Sequence, residues 1–181
     1  MTRIFTVIAL LALLFMVATA GLGLSLDLHH HLNDSAVKHW ASVHRLAGVG
    51  AAIFVILAHS IAVTYFVGTS RWCKEVSDTY RLDPRYVQRS TQLKRKMFPW
   101  AVLGMLAVVG IVALGGAADP ATLRENTLAW VNIHLGAALG GLAFIAFAFV
   151  REWQCISANH ALIDEIVARV NELRRRADER G

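Results

Sequence analysis

Four long apolar runs alternate with polar connections along the chain. They cover about residues 4–24, 41–67, 98–118 and 128–150. Each reaches the ~20 residues that a helix rising ~1.5 Å per residue needs to cross a hydrocarbon core of ~30 Å. None alternates with the period of two that marks a strand. The pattern predicts an all-α fold, a four-transmembrane-helix bundle over residues 1–155. The first run has Arg3 before it and the small residues Ala18, Thr19 and Ala20 near its end, as a cleaved signal peptide would. Its apolar character continues through Leu22 and Leu24, which favours a retained first span.

The connections carry their own periodicity. In residues 68–97, Asp83 followed by Pro84 is a helix-start signal, and Tyr86, Leu93 and Met97 give the following helix one apolar side. This predicts a short cytosolic helix beneath the bundle, with Pro99 in the first turn of the third span. Residues 156–181 place Ile163, Ile166, Val170 and Leu173 at three-four spacing, with Glu165–Arg169 and Glu172–Arg176 at i,i+4. A separate cytosolic amphipathic helix is expected there, suited to packing under the bundle or to joining copies of the chain in a homo-oligomer. The sequence shows no internal repeat.

Composition agrees with a membrane protein: 181 residues, 56% hydrophobic and 17% charged, with mean hydropathy +0.48. The net charge of +5 is distributed by side rather than along a nucleic-acid-binding face. Fifteen of the eighteen Lys and Arg fall on the side of the termini, leaving Lys38, Arg45 and Arg124 opposite. The positive-inside rule therefore puts both termini in the cytosol of a multi-pass protein of the cell inner membrane. Trp40 and Trp130 mark the outer boundary, and Trp72, Trp100 and Trp153 the inner one. Cys73 and Cys155 both fall on the cytosolic side, where thiols stay reduced. The bilayer is one partner, and other membrane or cytosolic subunits are expected.

Histidines carry the candidate chemistry. His44 follows Trp40 by four residues and His134 follows Trp130 by four, so the two lie at one depth below the outer boundary. Each rides a stripe of small residues, with Gly48 beside His44 and Gly141 beside His134. Two imidazoles at one level, with small residues where a flat ring could lie, suit a haem b. Arg45 would then reach a propionate. Against this stands the plainer reading, in which small residues only pack helices and the histidines only bond to carbonyls. His59 lies ~22 Å deeper by helical rise and reads as a hydrogen-bonded structural residue or a quinone contact. Asp27, His29, His30, His31, Asp34 and His39 could bind zinc or copper outside the membrane, or form a solvated turn.

The stretch Ser42, Val43, His44, Arg45, Leu46, Ala47, Gly48 resembles the Ser-x-x-His-Arg-x-x-Gly pattern of the succinate dehydrogenase cytochrome b subunit. That family is a membrane anchor that binds quinone and haem b. The resemblance implies Ser42 and Arg45 near a quinone and a haem-ligating histidine on another helix. The four spans contain no Asp, Glu or Lys, which argues against a proton-coupled transporter or a channel with a charged filter. No Ser or Cys nucleophile stands with a base, so hydrolase machinery is not visible. Two expectations follow: a haem-binding electron-transfer or anchor subunit, or a cofactor-free accessory or assembly protein that holds partners through its cytosolic helices.

Overall fold

The computed structural model describes residues 1–26 and 34–179. It contains α1 (Thr2–Leu24), α2 (Ser35–Tyr80), α3 (Arg85–Ala118) and α4 (Thr127–Asp178), with a 3-10 turn at Pro120–Thr122 before α4. Every apolar run lies inside one of these helices, and all four are long and apolar enough to cross a membrane. There is no strand among the described residues. Neighbours in sequence pack side by side, α1 also touches α4, and α2 and α4 meet only across the bundle.

Polarity is inverted relative to a water-soluble fold. Leu14, Leu46 and Leu106 are each more than 60% exposed, while His59, Glu152 and Asn159 are fully buried. Water would penalise both halves of that arrangement, and hydrocarbon rewards the first. The core inside is apolar and small-sided. Phe5, Ala12, Val55, Ala58, Phe66, Met97, Ala101 and Ile145 form one buried cluster.

Aspartates set three helix starts, of which the one at Asp83 is the expected one. Asp34 caps α2 by accepting from the Ala36 N–H at 2.8 Å. Asp83 accepts from the Arg85 N–H at 2.9 Å as α3 begins, and Asp119 does the same for Ala121 at 3.0 Å. Each satisfies an N–H that a helix start leaves open. Arg81 turns the chain after α2 in the left-handed region, at φ 50°.

The connecting and C-terminal segments differ from expectation. The 68–97 stretch is not a separate helix under the bundle: α2 runs on to Tyr80, and α3 starts at Arg85 and passes straight through Pro99. Proline removes the bond to the carbonyl four residues back, but Met97 and Ala101, both fully buried, hold the helix on either side. Residues 156–178 likewise continue α4 without a break. At 46 and 52 residues, α2 and α4 are ~70–80 Å long, more than twice a hydrocarbon core.

The projecting parts of α2, α3 and α4 form a second core of Cys73, Tyr86, Leu162, Ile166 and Val170. Arg89–Glu165 at 2.7 Å ties α3 to α4 at its rim, and Arg174 reaches the Tyr80 hydroxyl of α2. Leu162 is fully buried, so Leu162→Ala should cost ~2–5 kcal/mol. Thermal unfolding in detergent should show this, with the near-neutral change of a surface position contradicting it.

Candidate functional site

Three levels of polar side chains bridge α2 and α4 across the bundle. At the level near the starts of α2 and α4, called outer after the orientation expected from the charges, the His44 and His134 ring centroids lie 6.3 Å apart with planes crossing at 77°. A metal-bound imidazole nitrogen lies ~2 Å from its ion and the ring centre ~1 Å behind, so two rings on opposite sides of one iron have centroids ~6 Å apart. The observed spacing matches that requirement.

Backbone and glycines hold these rings. His44 Nδ1 lies 3.0 Å from the Thr19 carbonyl oxygen on α1. A carbonyl only accepts, so Nδ1 carries the hydrogen and Nε2 keeps its lone pair, the tautomer a ligand needs. The ring rests over Gly23, where an added Cβ would meet Cε1 at 2.9 Å. His134 repeats this against α3: a Cβ on Gly115 would meet its Cε1 at 3.0 Å. Its Nδ1 is buried without a hydrogen-bond partner, with the Ile111 backbone of α3 nearby. Thr19 with Gly23 and Ile111 with Gly115 are both i,i+4 pairs, so the α1–α2 and α3–α4 hairpins present a local repeat that residue identities conceal.

The expected glycines act in packing. A Cβ on Gly48 would lie 3.6 Å from Thr19 Cγ2, and one on Gly141 would run into Ile111. The tightly buried core also stops short of the histidine level. On the described parts of α1 and α2 it spans Phe5 to Met16 and begins only at Ala51; on α3 and α4, Val108 and Ile145 bound it, apart from Ala118 and Thr127 at the helix ends.

Arg45 has partners of its own. It makes a two-pronged contact with Asp119, at 2.9 and 3.0 Å, and donates to Ser42 at 2.7 Å. The guanidinium thus ties the start of α2 to the end of α3. At 41% side-chain exposure, the pair is worth ~0–1 kcal/mol. Arg45→Gln should lower the unfolding temperature by no more than a few degrees, and a large drop would show that Arg45 does more.

The middle level was missed by sequence reasoning. His59 Nδ1 and Glu152 Oε1 are 2.6 Å apart, with both side chains fully buried. Glu152 lies just past the apolar run ending at Val150, which is why no carboxylate was expected inside. Glu152 is eighteen residues from His134, and at ~100° per residue that is five whole turns, so the two share one face of α4. Phase was the signal that could have found it. Phe149 lies against the His59 ring with centroids 4.7 Å apart. At the inner level, Asn159 Nδ2 donates to Tyr65 Oη at 3.2 Å and Thr69 Oγ1 at 3.0 Å.

The outer metal candidates Asp27, His29, His30 and His31 lie outside the described residues. His39 is exposed and stacks edge-on to Trp40. No group of three potential metal ligands occurs among the described residues. Cys73 and Cys155 are buried free thiols, and burial pushes the ionisation of both up. Comparison of the chain with protein families, with curated proteins and with solved structures finds no match.

Proposed function

We propose that the protein is a membrane-embedded electron-transfer or anchor subunit that holds one haem b between His44 and His134. The observation that carries this reading is the outer histidine pair: 6.3 Å between ring centroids, with His44 Nδ1 committed to the Thr19 carbonyl. A haem in this place would be held by His44 and His134 and would supply one-electron chemistry. The chain's own residues would present the imidazole nitrogens, with the His44 tautomer fixed by the Thr19 carbonyl and the two rings seated against Gly23 and Gly115. The lipid-facing leucines and isoleucines keep water away.

The proposed orientation has both termini in the cytosol of an inner-membrane protein, from the distribution of Lys and Arg. The histidine pair then sits towards the outer face, and the projecting α2–α3–α4 core lies in the cytosol. With one haem near one face, the subunit would pass electrons to a partner rather than across the membrane. That cytosolic core also supports the second reading, an accessory protein holding partners with no cofactor. An absorption spectrum of the full chain purified in detergent separates the two. A Soret band that shifts on reduction, with a sharp α band, is expected; a protein colourless after expression with ample haem would overturn the haem reading.

A further inference from the structure

We propose that His59 and Glu152 form a proton-holding site inside the bundle, with the proton resting on Glu152 and exchanging with the inner aqueous face. The site is independent of any haem at the outer level. Its ligand is a proton, and its carriers are a carboxyl and an imidazole that no other role on the outer site uses.

Geometry sets the protonation state. Both side chains are fully buried and 2.6 Å apart, and each has one further polar atom, His59 Nε2 and Glu152 Oε2, that is buried without a partner. An imidazolium beside a carboxylate would leave a charged N–H and a charged oxygen unsatisfied, the costliest arrangement in an apolar interior. In the neutral pair, the Glu152 O–H donates to His59 Nδ1, the imidazole hydrogen sits on Nε2, and Oε2 is only a carbonyl oxygen. Two neutral groups without partners cost far less than two charged ones. Removing the proton from Glu152 leaves one net negative charge on the pair, with the released proton going to water.

The surroundings give that proton a direction. From α1 the buried side chains are Phe5, Ala9, Ala12 and Met16, none titratable. On α3, Gly104 lies against His59 Nε2, so close that a Cβ there would overlap the ring. Phe149 covers the other side. The nearest charged positions in sequence are Arg151, adjoining Glu152 on α4, and Lys96 on α3, one residue before buried Met97. Inward, two turns along α4 and ~10 Å away by helical rise, is fully buried Asn159 with Tyr65 and Thr69 of α2. Asn159 Oδ1 is also buried without a partner, an acceptor on the way to the inner face. The outward direction offers no polar side chain on α2 until Arg45 and His44, and on α4, beyond the adjoining Arg151, none until His134.

Infrared spectroscopy of the full chain in lipid, titrated from pH ~5 to ~9 in H2O and D2O, tests this. The expected result is the carbonyl stretch of a buried protonated carboxylic acid that shifts in D2O, fades as pH rises and is absent in Glu152→Gln. Asn159→Leu should keep the band but slow its deuterium shift severalfold. The wild-type spectrum alone is decisive if Glu152→Gln fails to fold. Absence of the band at every pH, a band that never exchanges, or exchange unaffected by Asn159→Leu would each overturn the proposal.

Discussion

Replacing His134 with alanine should abolish the low-spin haem spectrum, and His44→Ala should do the same, while His59→Ala leaves it intact. The first two rings are the pair 6.3 Å apart; the third is held by Glu152 at another level. Either substitution would remove one of the two imidazoles that would hold the haem. Haem content per chain, measured beside the spectrum, distinguishes loss of the group from loss of a ligand. Gly115→Val provides a graded version. Its Cβ would meet His134 Cε1 at 3.0 Å and turn the ring, and disturbing a ligand's support typically costs ~10–100-fold in affinity. Retention of the spectrum in both histidine variants, or its loss only in His59→Ala, would place the ligands elsewhere.

Gly104→Ala should be among the most destabilising methyl additions in the molecule. The new Cβ would overlap the His59 ring, which cannot withdraw because Glu152 holds Nδ1 and Phe149 covers its face. Overpacking of this kind costs ~1–3 kcal/mol, and at ~2–4 °C per kcal/mol for a chain of this size the unfolding temperature should fall by roughly 5–10 °C. Adding His59→Ala removes the obstacle. The double variant should therefore be less destabilised than the two single changes summed, by ~1 kcal/mol or more. Additivity within ~0.5 kcal/mol would mean that the two residues do not press on each other.

The spans and the matched depth of His44 and His134 were legible in the sequence because each rests on a local quantity, run length in one case and distance from a boundary tryptophan in the other. Continuity of α4 was not. Amphipathic spacing in 156–181 announces a helix but not whether it is joined to the one before. The deciding fact is that Arg151 to Cys155 contains neither Gly nor Pro. The same habit of ending a span where hydropathy ends hid Glu152, although its phase on the helix matches that of His134. Partnerships across the fold left no local trace. Arg45 read as a propionate or quinone contact because its partner Asp119 is 74 residues away, and the likeness of Thr19–Gly23 to Ile111–Gly115 is one of backbone position, not of side-chain type.

Electron paramagnetic resonance of the oxidised wild-type protein tests the central proposal most directly. Two imidazoles on one iron with planes crossing at 77° predict one low-spin haem per chain with the strongly anisotropic signal of nearly perpendicular axial ligands. A high-spin signal, the rhombic signal of parallel rings, or no haem iron at all would contradict it.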